Sequence, residues 1–211
     1  MKKIAAALAL VLVSLGYHFL TAPIVHAPGV LVATEPEQIA LPENTAPIEH
    51  GAFHLQPLAR FSIDARLLHR QRYRWDRQSG LAPIDLALGW GAMSDQAVLD
   101  RMKISQSMRF YWYEYQMPPP LAPEEIVGHS TNVHVIPVDD GIEKTCRSFR
   151  AGELIHLDGE LGEASGPRIG TWRSSLRRDD TGDGACELLL VEHVARIAGE
   201  RRPTPRRLVS R

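Results

Sequence analysis

The 211-residue chain predicts a β-rich α+β domain, a small, partly open barrel with short inserted helices, carried behind one N-terminal transmembrane helix. Three observations point there. An apolar run from Ile4 to Leu20 follows Lys2 and Lys3, the order of a membrane-targeting segment whose basic end stays in the cytoplasm. Several later stretches alternate apolar and polar residues with period two, the pattern of a half-buried strand. Helical periodicity is confined to two brief stretches between them.

The leader is residues 1–22, an anchor or signal segment. Its apolar run of 17 residues sits at the lower end of the roughly 17 to 25 that span a hydrocarbon core. Val25-His26-Ala27 and Leu20-Thr21-Ala22 come near a signal-peptidase pattern, but Pro28 and Pro23 follow them. Proline lacks an N–H and fixes φ, so it fits poorly where a protease holds its substrate as a strand, and an uncleaved anchor is favoured. No cysteine follows the run, which argues against a lipoprotein. With both lysines cytoplasmic, the chain is expected to cross the inner membrane once and place its C-terminal domain in the periplasm.

Residues 23–57 read as a tether. Pro23, Pro28, Pro36, Pro42, Pro47 and Pro57 mix with Glu35, Glu37, Glu43 and Glu49 without sustained periodicity, as in a stiff extended spacer.

The periplasmic β-rich domain is expected over 58–195. Phe61, Ile63, Ala65 and Leu67 alternate with Arg60, Ser62, Asp64 and Arg66, a half-buried strand. Ser94 caps a short helix with Val98, Leu99 and Met102 inward. Ile104 to Tyr115 reads as a strand, and Val133 to Val138 as another. Asp140 and Glu143 form a capping-box-like helix start, Ile142, Cys146 and Phe149 make one inward stripe, and Gly152 terminates the helix. Strands follow at Glu153–Glu163, Ile169–Arg177 and Ala185–Val194, the last two expected as a hairpin. Gly159 falls where a barrel strand must bend. This order suggests an OB-like barrel, the oligonucleotide/oligosaccharide-binding architecture. Residues 196–211, with Arg201, Arg202, Arg206, Arg207 and Arg211 broken by Pro203 and Pro205, read as a basic disordered tail.

Composition fits one soluble domain behind an anchor, with 44% apolar and 23% charged residues. A net charge of −1 gives no global attraction to nucleic acid, which is disfavoured as a partner. Cys146 and Cys186 are a disulfide candidate in an oxidising compartment, the alternative being two buried free thiols, and their spacing matches no metal site. No motif implies a cofactor.

Three segments, Pro83 to Gly91 (PIDLALGWG), His129 to Pro137 (HSTNVHVIP) and Trp172 to Gly182 (WRSSLRRDDTG), resemble those of a group of N-terminally anchored proteobacterial envelope proteins that carries no assigned activity. The resemblance covers about Leu58 to Val194. It implies the anchor-plus-domain layout and adds no catalytic residue.

Three constellations carry candidate chemistry. His129, Asn132 and His134 are a weak metal or hydrolase candidate, because imidazoles five apart on a strand point to opposite faces. Asp179-Asp180-Thr181-Gly182-Asp183-Gly184 imitates the opening of a calcium loop, with Asp179 and Asp183 as ligands, but position twelve is Leu190 where a bidentate glutamate belongs, and a polar hairpin turn is favoured. Arg109, Tyr111, Tyr113 and Tyr115 would line one face of a strand, with Met108, Phe110 and Trp112 on the other. That tyrosine face is the leading binding candidate, set against plain cross-strand aromatic packing.

The function expected is therefore a membrane-anchored, non-catalytic binding module of the envelope, its partners the inner membrane and an envelope protein or glycan. The alternatives are a metal-dependent hydrolase using His129, Asn132 and His134 with a carboxylate such as Asp85, and a single-stranded nucleic-acid-binding barrel.

Overall fold

The computed structural model describes residues 22–178, 180–182 and 184–198. The expected membrane anchor and nearly all of the basic tail lie outside them, and among the described residues no helix is long and apolar enough to cross a membrane. The strands are β1 (Glu37–Ala40), β2 (Ile48–His50), β3 (Phe53–Arg72), β4 (Ile84–Gly89), β5 (Met102–Ser107), β6 (Phe110–Tyr115), β7 (Ser130–Pro137), β8 (Leu154–Gly166), β9 (Gly170–Arg173) and β10 (Glu187–Arg196). The helices are short: α1 (Gln96–Leu99) after a 3-10 turn at Gly91–Ser94, α2 (Pro123–Gly128) and α3 (Asp140–Ser148).

The protein is a β-rich α+β domain built on one mixed sheet whose strands form a partial ring rather than a true barrel. Pairing runs β3–β4–β7–β10–β8, with β7 and β10 parallel and the other neighbours antiparallel. The 20-residue β3 is shared by both ends of this path: residues 54–66 bond β8, residues 66–72 bond β4, and the two pairings overlap only at Arg66. Inside lie Phe61, Ile63 and Leu67 of β3 with Leu86, Val133, Leu157 and Leu189 of its neighbours, all essentially fully buried. Each such side chain contributes roughly 1.5–3 kcal/mol by leaving water. Strands pass too close for a side chain at Gly159, where a Cβ would lie 1.9 Å from the Leu190 carbonyl oxygen, beside the β10 irregularity between Val191 and His193.

Several expectations are corrected by packing. The segment read as a tether lies on the domain: Val32 is buried in the main core, Ile24 N–H donates to Ala151 O at 2.7 Å, and β1 and β2 both pair with β3. Its prolines fix an extended path, but Leu31, Val32 and Ile48 between them pack on the core. The helix at 96–99 is capped by Asp95, whose carboxylate accepts Ala97 N–H at 2.8 Å, while Ser94 is buried and its hydroxyl accepts Leu31 and Val32 N–H; Met102 already belongs to β5. Asp139 rather than Asp140 caps α3, and Cys146 and Phe149 are buried as the stripe requires. Gly152 lies beyond the helix end at φ 90°, where a Cβ would meet Ile24 O at 2.0 Å.

Ile104–Tyr115 is a hairpin of β5 and β6, not one strand. Its two-residue turn, Met108–Arg109, holds both residues at positive φ, 50° and 72°, a conformation usually given to Asn or Gly. The last two strands do not form the expected hairpin. β9 folds back on β8, and β10 inserts between β7 and β8, because Ser174 leaves the strand path: its N–H donates to Gly162 O and its hydroxyl accepts Leu188 N–H at 3.0 Å. Arg196, assigned to the tail, ends β10 opposite Ile155.

Candidate functional site

The β5–β6 hairpin roofs the outer face of β4 and β7. Tyr111, Tyr113 and Tyr115 do share one face, as alternation demands, but it is the inner one, packed on Leu68, Ala87, Met93 and Ile126. The outward residues are Phe110 and Trp112. Positive φ at Arg109 turns that side chain off the tyrosine face altogether. Its guanidinium grips Asp76 through Nε at 2.8 Å and Nη2 at 2.7 Å, donates from Nη1 to Asp85 Oδ1 at 2.9 Å and Ala82 O at 2.8 Å, and lies 3.7 Å from the Tyr73 ring centroid.

This contact opens a polar network under the roof. Asp85 is fully buried, and its Oδ1 also lies 2.9 Å from His134 Nδ1. His134 stands against the Trp172 ring at 4.7 Å between centroids. Two residues back on the same face, Asn132 Nδ2 donates to Arg109 O at 3.2 Å and contacts Cys186 Sγ at 3.6 Å, while its Oδ1 accepts from Gln106, whose own carbonyl meets His69 Nδ1 at 2.9 Å. Most buried polar groups are bonded in this way, while Asp85 Oδ2 and His134 Nδ1 are left without a hydrogen bond of good geometry among the described residues. Burial and neighbouring Asp85 push the Tyr73 hydroxyl up to about 12.

Beside this network, where β7 and β10 begin, opens a cavity of about 180 Å³. One wall is aromatic, with Trp90, Phe110, Tyr111 and Tyr113; the floor is polar, with Ser130, Thr131, Asn132 and Glu187; Arg177, Arg178 and Asp180 stand at its edge. Glu187 is buried and accepts a hydrogen bond from the Thr131 hydroxyl. Burial pushes its carboxyl up to about 7, against the opposing pull of Thr131 and Arg178. Burial lowers Arg178, which donates to Pro36 O at 3.2 Å and lies 5.4 Å from the Phe61 ring centroid. The Tyr111 hydroxyl is buried without a hydrogen bond of good geometry among the described residues, Ser130 donating instead to Ile126 O at 2.6 Å. A shallower groove sharing Phe110, Gly182 and Cys186 continues toward Arg109, His134 and Trp172.

Of the expected binding set, Tyr111 and Tyr113 line the cavity, Arg109 lines the adjoining groove, and Tyr115 borders a separate shallow groove. The histidines part company: His129 ends α2, with Nδ1 at 2.9 Å from Glu125 O and Nε2 at 3.6 Å from Glu35, away from the His134–Asp85 pair. Asp179 and Asp183 lie outside the described residues. Among those described, no group of three His, Cys, Asp or Glu side chains is placed to hold a metal ion. Cys146 and Cys186 are both free thiols: Cys146, on α3, is sealed in the core, Cys186 lines the cavity, and burial pushes both up to about 12, so each holds its proton. Sequence reading missed the roles of Glu187 and Thr131. The available signal was an acid opening the otherwise apolar run Glu187-Leu188-Leu189-Leu190-Val191; an acid in such a strand needs a buried partner.

No protein-family model matches the chain, and neither a curated protein nor a solved structure shows significant similarity to it.

Proposed function

We propose that this chain is an OB-like binding module of the bacterial envelope, held to the inner membrane by its apolar N-terminal segment with the domain in the periplasm, and that its cavity takes one sugar-sized group of an envelope glycan. The observation that carries the reading is the two-sided cavity. An aromatic wall offers flat faces to the C–H side of a ring, and the Ser130, Thr131, Asn132 and Glu187 floor offers donors and acceptors to hydroxyl or amide groups. The buried Tyr111 hydroxyl, left without a hydrogen bond of good geometry among the described residues, is a further group for a ligand to satisfy. The strand order agrees with the OB-like assignment, in which ligands lie on the second and third strands of the ring and under the loop before the last. The segments 83–91, 129–137 and 172–182, on which the envelope-protein resemblance rests, supply Asp85, Asn132, His134 and Trp172 to this one region.

The test is calorimetric titration of the full-length protein, in detergent, with N-acetylglucosamine and glucose oligosaccharides. We expect saturable binding that falls at least about tenfold in Tyr113→Ala and in Asn132→Ala, the scale of losing one stacking or hydrogen-bonding group. Absence of binding by the wild type, or affinity unaltered in both variants, overturns the assignment.

A further inference from the structure

We propose that the outer face of the β5–β6 hairpin and the loop after β3 form a surface that lies against an anionic lipid headgroup layer. Three large apolar side chains stand out in water here: Trp75 at 92% exposure, Met108 at 77% and Trp112 at 50%. Soluble surfaces seldom gather such groups without a use for them. They belong to one patch because the Arg109 clamp makes it one. Arg109 holds Asp76 through two hydrogen bonds, its N–H donates to Tyr73 Oη at 3.1 Å, and its guanidinium covers the Tyr73 ring. Trp75 lies in the chain between those two residues, so the clamp ties its backbone to the hairpin tip that carries Met108. Phe110 and Trp112 continue the patch with ring centroids 5.9 Å apart.

The charges choose the occupant. Arg74 and Arg77 flank Trp75, are exposed, and make no ion pair among the described residues. Across the hairpin, Phe110 and Trp112 face Ser107 and Ser105, and the next pair, Glu114 with Lys103 at 3.5 Å, is neutral. Indole and thioether at the tips with unpaired arginines beside them complement the boundary of a bilayer, where Trp settles at headgroup depth and arginine meets phosphate. This surface meets the cavity at Phe110, which borders both, while Trp75, Trp112, Arg74 and Arg77 lie outside the cavity lining; both proposals place the protein beside a membrane.

The full-length protein is reconstituted into vesicles of phosphatidylcholine alone or mixed with phosphatidylglycerol, each carrying brominated lipid, and tryptophan quenching is read. Of the four tryptophans Trp90 is buried and Trp172 half-buried, so the signal reports mainly Trp75 and Trp112. We expect at least twofold stronger quenching in the anionic vesicles. It should be roughly halved by Trp75→Phe and return to the neutral-vesicle level in Arg74→Gln/Arg77→Gln or at 1 M salt, where screening is short-ranged, at about 3 Å. Oligosaccharide titration of the same variants should be unaltered, which separates failure here from failure of the cavity assignment. Equal quenching in neutral and anionic vesicles overturns the proposal. So does protection of Trp75 from aqueous acrylamide that grows with protein concentration without lipid, which assigns the patch to a second copy of the chain.

Discussion

Two flanks of the same ring handle polar residues in opposite ways. Where β3 pairs with β8, the inner face is apolar and the outer face carries charges in water: Arg60 with Asp158, Glu160 and Glu192, and Asp64 with His156 at 2.7 Å. Where β4 pairs with β7, every β4 residue is buried, because the β5–β6 hairpin covers the side that would otherwise be wet. Asp85 is held there by Arg109 and Asn132 by Gln106 and the Arg109 carbonyl, while His134 stands 2.9 Å from the Asp85 carboxylate. A polar residue on the open flank is replaceable, whereas on the roofed flank it is held by partners that lose their own satisfaction if it goes.

The sharpest way to break this contrast is Asp85→Ala. It leaves Arg109 and His134 without their shared carboxylate, and the expected loss is about 3–5 kcal/mol in urea denaturation with an unchanged slope. A loss of less than about 1 kcal/mol would mean the roof admits water. Next comes Glu187, at the edge of the roofed flank. Its carboxyl is raised to about 7 in the folded chain, so the native state keeps a proton that the unfolded chain has released. Stability therefore falls as pH rises from about 4.3 toward 7 and is level above that. Glu187→Gln should remove the slope and leave the variant more stable than the parent at pH 8 by up to roughly 3 kcal/mol. A parallel pair of stability–pH curves would contradict a buried, raised carboxyl. The smallest effect belongs to the open flank: Arg60→Ala should cost less than about 1 kcal/mol, and less still at high salt, by the same denaturation measurement.

The same contrast explains what could be read in advance. On the open flank, Phe61, Ile63, Ala65 and Leu67 alternate with polar neighbours, and that pattern alone places the strand and its buried side. On the roofed flank the pattern vanishes, since both faces of β4 are inside, and the covering hairpin is hidden by a turn made from Met108 and Arg109 without Gly, Asn or Asp. The tyrosine alternation was legible, but which face met the core was not, because that depends on β5–β6 folding over β7. Of the cavity, Asn132 and the tyrosines stood out as polar or aromatic clusters. Glu187 and Thr131 did not, since only the parallel pairing of β7 with β10 sets them together.

The way the chain enters the domain has a mechanical consequence. Ile24 is already hydrogen-bonded to Ala151 and lies against Gly152, His26 meets Gly152 O at 2.7 Å, and the Arg66 guanidinium, at the single residue where both pairings of β3 overlap, reaches Ile24 O at 3.4 Å. A load applied at Ala22 is thus delivered to the ring's seam by Ile24, two residues on. The first described residues are pinned at that one joint, where a pull on them would meet the ring's seam before any other part of the core.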